Sequence, residues 1–258
     1  MACFGSIRRF VDGRDLVFVF GSNLAGRHGK GAAKFAKAHL GAVDGLGEGL
    51  SGLSYALPTK DESLSSLPIE KIQAGLERLG RFAQSRPDLR FQLTRVGCGL
   101  AGYSDAEMIE VVKASNSLLC AKNVILPGIW REAMDSKLAI LGVVGCRRAR
   151  AVEPIFSAIT CVIKELQEQG KEKIILCSGG AQGIDTIAEE FARRHEAAMT
   201  VFDANWDKYR LAAGPNRNNT LAWYCSEVLA FPSQESKGTR DMIATSRREH
   251  LRVQVIEI

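Results

Sequence analysis

Lys173-Ile174-Ile175-Leu176-Cys177, then Ser178-Gly179-Gly180-Ala181-Gln182-Gly183, then Ile184-Asp185-Thr186-Ile187-Ala188: this stretch decides the fold. Its first part is an apolar run too short for a helix and bounded by a turn signal, the mark of a buried strand. Glycine and small residues follow, where the backbone must bend tightly. From Ile184 to His195 the apolar residues recur at helical spacing. Strand, glycine loop and helix in that order form the repeating unit of an α/β protein.

Working outward, the same reading recurs. Towards the C-terminus, strands are predicted at Met199–Phe202, Glu227–Phe231 and Arg252–Glu257, with helices at Asn218–Tyr224 and Gly238–Arg248. Towards the N-terminus come a strand at Leu138–Val144 and a helix at Pro154–Gln169. Strict alternation implies a parallel sheet with helices on both faces. Upstream of Lys137 the pattern pauses in a polar, aperiodic segment from Trp130, which predicts two domains, residues 1–134 and 135–258.

The first half alternates in its own way. Strands are expected at Leu16–Phe20, Leu53–Leu57, Phe91–Val96 and Asn123–Leu126, and helices at Ala32–His39 and Pro68–Ala83. Ser104, three residues before Glu107, is a capping-box signal for a helix running to about Leu119. Two glycine-rich loops follow strands here, Gly21–Gly31 and Gly97–Tyr103.

Totals narrow the function classes. The 258 residues are 46% hydrophobic and 24% charged, the balance of a folded protein without disordered tracts. No apolar run approaches the roughly 20 residues needed to span a bilayer, and the first ten residues carry no signal-peptide core. A cytoplasmic protein without membrane partners is expected. The seven cysteines include no C-x-x-C pair, so neither a zinc site nor a disulfide framework is expected. No metal and no bound cofactor are implied. The formal charge of +5 is shared almost evenly between the halves, which disfavours nucleic acid as partner and leaves room for a small anion.

Ligands of parallel sheets lie beyond the carboxyl ends of the strands, where these glycines fall. Free N–H groups at a helix start, with the helix dipole, favour a phosphate. In the C-terminal half the series G-C-R (Gly145–Arg147), S-G-G-A-x-G-I-D (Ser178–Asp185), N-W-D-x-Y (Asn205–Tyr209), A-G-P-x-R-N (Ala213–Asn218), A-F-P (Ala230–Pro232) and K-G-T-R-D-M (Lys237–Met242) resembles the SLOG superfamily. Resemblance to that Rossmann-like group implies a nucleotide pocket lined by Gly145, Arg147, Ser178, Gly179, Gly180, Gly183, Asp185, Arg217, Asn218, Lys237, Gly238 and Thr239. Some members are phosphoribohydrolases of the Lonely Guy type. The loop here, Pro232 to Met242, lacks their double glycine and catalytic glutamate, which weighs against that activity. SLOG relatives often self-associate, so the resemblance also implies a homo-oligomer.

In the N-terminal half, Gly21–Gly41 and Gly97–Tyr103 resemble the two phosphate loops of macro domains, and F-G-S-N-x-x-G-x-H-G-x-G-A-A with T-x-x-G-C-G-L-A-G-Y resembles a group of phage-encoded macro-domain-like proteins. By that resemblance Gly21, Ser22, Asn23, Gly29, Lys30, Gly31, Gly97, Gly99, Leu100, Ala101 and Gly102 would line a site for ADP-ribose. Asn23 would touch the distal ribose and Tyr103 would pack on a ribose. The fold class is therefore α/β: a macro-domain-like three-layer module followed by a Rossmann-like parallel-sheet SLOG module. The expected partner is an ADP-ribose-like or NAD-derived nucleotide. Three functions stay open: binding, as a sensor or a phage counter-defence sponge for signals made by TIR-type immunity; hydrolysis of an N-glycosidic or ADP-ribosyl bond, with Asn23, His28, Arg147 and Asp241 as catalytic candidates; and nucleic-acid binding.

Overall fold

A computed structural model describes residues 6–11 and 16–258. The chain divides into two compact units, Gly13–Trp130 and, together, Met1–Asp12 with Arg131–Ile258. The mixed α/β character read from the sequence holds in both.

Strand β1 (Ile7–Val11) opens the described chain. The Gly13–Trp130 unit then runs β2 (Val17–Asn23), α1 (Gly31–His39), β3 (Gly49–Ser51), β4 (Ser54–Lys60), α2 (Ile69–Ser85), β5 (Phe91–Leu93), α3 (Asp105–Lys113), α4 (Asn116–Cys120) and β6 (Val124–Ile125), with α5 (Gly128–Met134) crossing its boundary. Its sheet has the order β3-β4-β2-β5-β6, parallel except for the antiparallel edge strand β3. Val17–Phe20 are all buried, as a strand covered on both faces requires. Leu57, Ile72, Leu76, Leu79, Phe91 and Met108 of this unit are likewise closed to solvent. Ser104 and Glu107 form both halves of the predicted capping box at α3. The expected single helix to Leu119 instead breaks at Ala114 and Ser115, where the Ser115 hydroxyl donates to the Val111 carbonyl and α4 starts afresh.

The second unit continues with β7 (Leu138–Gly145), α6 (Val152–Glu168), β8 (Lys173–Ser178), α7 (Ile184–Arg194), β9 (Met199–Asp203), α8 (Trp206–Tyr209), a 3-10 turn (Arg210–Ala212), α9 (Ala213–Tyr224), β10 (Glu227–Phe231), α10 (Lys237–Arg248) and β11 (Arg252–Val255). All six strands of its sheet are parallel, in the order β1-β9-β8-β7-β10-β11. The chain leaves β7 in one direction to β8 and β9 and returns on the other side to β10 and β11. The crevice at the carboxyl ends of β7 and β10 is thus the topological switch point, where open α/β sheets bind ligands. A core of Leu141, Val143, Ile159, Leu176, Phe191, Val201 and Leu229 joins this sheet to its helices.

Pairing of β1 with β9 over Ile7–Val11 and Met199–Asp203 makes residues 7–11 an edge strand of the second sheet. Arg8 and Arg9 hide this strand from a hydrophobic pattern. Arg9 donates to Asp203 at 2.8 Å and pairs with the buried carboxylate of Glu189, so its charge is matched on a sheet edge.

Candidate functional site

At the switch point lies a cleft of about 350 Å³. Its walls are Gly145 at the end of β7 with Cys146, Arg147 and Arg148 beyond it, and Ser233, Glu235 and Ser236 after β10 with Lys237, Gly238 and Thr239 at the start of α10. Ala181 and Asp185 come from the loop and helix after β8, and Arg217 and Asn218 from α9. Of the residues singled out in the sequence, Gly145, Arg147, Asp185, Arg217, Asn218, Lys237, Gly238 and Thr239 therefore meet in one cavity. Ser178, Gly179, Gly180 and Gly183 lie outside its lining.

The reason is electrostatic. Asp185, only 3% exposed, accepts hydrogen bonds from the backbone N–H groups of Gly179 (3.0 Å) and Ala181 (3.2 Å). The amides expected to grip a phosphate thus hold the protein's own carboxylate. Burial pushes the Asp185 carboxyl up, opposed by Arg217 and by the amides of Ala181, Gly179 and Gly145. Arg217 lies directly over Gly179, where a Cβ would fall 1.1 Å from Nη1. Glycine is needed there to leave room for the guanidinium. Gly180, at φ +64°, would push a Cβ to 2.1 Å from Asp203 Oδ1.

What faces the cleft is cationic and underused. Arg217 is 8% exposed, its Nη1 is 3.5 Å from Asp185, and its buried Nε has no hydrogen-bond partner. The N-terminus of α10 opens onto the same cavity, with no side-chain cap from Ser236 and no acid in its first turn. The Lys237 N–H already donates to the Glu235 carbonyl at 2.8 Å; those of Gly238 and Thr239 lack intrahelical acceptors by helix geometry, and nothing stands within 4 Å of a Cβ built on Gly238. Asn218 secures that helix start, donating to the Gly238 carbonyl (3.1 Å) and the Asp241 carboxylate (2.8 Å). Asp241, a catalytic candidate from the sequence, sits in the second turn of α10 and outside the cavity lining.

Cys146, absent from the sequence-based candidates, lines the cleft. A hydrogen bond from the Ser233 hydroxyl holds its thiol below the usual range against the opposing effect of burial, helped by Ser236 and by the amides of Arg148 and Ala149. Arg148 pairs with Glu235 across the rim at 3.0 Å. The signal that would have found Cys146, Ser233 and Ser236 is position alone, immediately beyond β7 and β10.

The Gly13–Trp130 unit carries a cavity of about 580 Å³ between its two glycine loops. Gly21, Ser22, Asn23, Gly29, Lys30, Gly31, Gly97, Gly99, Leu100 and Ala101 line it, with Thr59, Lys60, Thr94 and Arg95 added by strand ends that sequence reading passed over. Gly29, Gly31 and Gly99 face open space. Three candidates are otherwise engaged. The Asn23 amide accepts from the Arg27 N–H (3.0 Å) and donates to the Arg27 carbonyl (2.8 Å), so it staples the loop. Tyr103 gives its hydroxyl to the Leu67 carbonyl at 2.5 Å and, with Gly102, stands outside the lining. His28, 2% exposed, lies 3.2 Å from Ser22 Oγ and edge-on to Phe20, and it too is absent from the lining.

Residues 143–209 match a sequence family described as YAcAr: YspA, cpYpsA-related SLOG family. The matched segment begins within β7 and ends with α8, so it covers one side of the switch-point cleft. A nucleotide-related, Rossmann-like module is what this match supports for the C-terminal part. No curated protein matches the chain. Among solved structures, the apo form of the homocysteine methyltransferase MmuM from Escherichia coli aligns over 95% of this chain and 90% of its own, at 8% identity and a TM-score of 0.24. That likeness is too low to carry an argument about fold or activity. Among the described residues, no helix is long and apolar enough to cross a membrane.

Proposed function

We propose that the protein binds ADP-ribose-like or NAD-derived nucleotides, with the switch-point cleft of the second unit as the diphosphate site. One observation carries this reading: the uncapped start of α10 and the buried, incompletely bonded guanidinium of Arg217 line the same cavity. A buried donor without a partner costs about 1–3 kcal/mol. An anion seated among Arg217, Arg147, Lys237 and the first amides of α10 offsets that cost and completes the helix terminus.

The cavity of the first unit, taken with its resemblance to macro domains, offers a second pocket for the same ligand class. Open space around Gly29, Gly31 and Gly99 supports close approach of a diphosphate there. Two pockets for one kind of nucleotide suit a protein that sequesters a signal, in the manner of a phage sponge against TIR-type immunity. Hydrolysis is the weaker reading, because Asn23 and Asp241 are held in hydrogen bonds and His28 and Asp241 lie outside the cavity linings.

Calorimetric titration with ADP-ribose, NAD and cyclic ADP-ribose isomers, followed by chromatography of each mixture, tests the proposal. Saturable binding with the nucleotide recovered intact, lost from the second unit on Gly238→Glu, is the expected result. Product formation would transfer the case to hydrolysis, and absence of heat with every compound would end it.

A further inference from the structure

We propose that Trp206 is the base-stacking wall of the switch-point cleft, so that a nucleoside diphosphate lies with its phosphates at α10 and its base on the indole. This rests on the nucleotide reading above and adds the part of the ligand that the cleft alone does not explain.

Trp206 is the first residue of α8, just beyond the carboxyl end of β9, and so on the same sheet edge as the loops that form the cleft. Large aromatic side chains are normally withdrawn from water, yet this one is 48% exposed. The start of the helix that carries it is fixed, Asn205 accepting from the Lys208 N–H at 3.1 Å, and the far edge of the indole reaches towards Gly214, where an added Cβ would meet it at 3.8 Å. The Arg147 guanidinium carbon lies 5.7 Å from the ring centroid, within reach of the π face.

Arg147 also lines the cleft. One guanidinium thus borders both the anion cavity and the aromatic surface, at the joint where a nucleotide changes from phosphate to sugar and base. An arginine in contact with an indole keeps N–H donors for phosphate oxygens. A nucleobase offers the flat π surface that an exposed indole fits, and stacking of this kind tolerates any base. Trp206 therefore selects nucleotides over bare phosphates without choosing among bases.

The test is calorimetry on the full chain with sodium pyrophosphate and with ADP, counting only the binding that Gly238→Glu removes, for the wild type, Trp206→Ala and Trp206→Phe. Wild-type protein is expected to bind ADP about tenfold more tightly than pyrophosphate. That ratio should fall to about one in Trp206→Ala and largely return in Trp206→Phe, and ADP should quench tryptophan emission in the wild type but not in Trp206→Phe. Pyrophosphate binding with no ADP preference, or an unchanged ratio in Trp206→Ala, overturns the stacking wall and leaves the anion site standing. Failure of both ligands to bind overturns the nucleotide reading, and the wall with it.

Discussion

Glycines 180 and 238 occupy equivalent places in the sequence pattern, each in a loop after a strand, and opposite places in physical terms. Gly180 sits at positive φ against Asp203 and Val201, whereas Gly238 faces open space at the first turn of α10. A carboxylate introduced at each separates structure from binding. Gly238→Glu should abolish anion binding at the switch point while leaving the unfolding midpoint nearly unchanged. Gly180→Glu should lower stability by about 1–3 kcal/mol from backbone strain, with the clash against Asp203 adding to the loss, readable by urea denaturation. Equal loss of stability in both variants would contradict the assignment of Gly238 to a ligand surface. In S-G-G-A-x-G-I-D the motif supplies a partner for its own loop: the amides of Gly179 and Ala181 donate to the buried carboxylate of Asp185.

At the level of elements, the strands and helices followed from periodicity wherever both faces or one clear face is apolar. β7, with seven of its eight residues buried, and α2, with Ile72, Leu76, Leu79 and Ala83 on one side, read correctly from spacing. The start of α3 was equally legible, because a capping box is a local bargain between a hydroxyl, a carboxylate and two amides. Replacing Ser104 with Ala should cost about 1 kcal/mol, measured as a shift in denaturation midpoint; no change would mean that Glu107 alone sustains the helix start. Elements that escaped were those whose sequence carries no pattern. β1 contains Arg8 and Arg9, and β3 has only three residues, each half-buried. Their strand character comes from the neighbour they pair with, β9 and β4, rather than from their own composition.

For the molecule as a whole, pH dependence offers a check on the packing of the first unit. Burial lowers the His28 imidazole below its ordinary value, with Lys37 acting in the same sense and Asp44 against it. Below about pH 6.5 the unfolded chain takes up a proton here that the folded chain resists. Stability at this site is therefore complete above that pH and declines as the pH falls below it. Denaturation of wild type and His28→Gln at pH 7.5 and 5.5 should show the larger acid loss in the wild type. An equal loss in both would mean that His28 is open to protonation in the native state.

What the amino-acid sequence determined unaided was the α/β class, the alternation of strand and helix, and the strand ends at which loops gather, since these depend on local periodicity and on short-range turn chemistry. Tertiary structure alone decided which loop amides are spent on the protein's own groups and which side chains gather at the switch point. That outcome turns on Asp185, Arg217 and Trp206, whose neighbours arrive from distant parts of the chain, and on the strand order that puts β10 beside β7. Hydrogen-bond partners and burial are properties of the assembled sheet, and no local pattern encodes them.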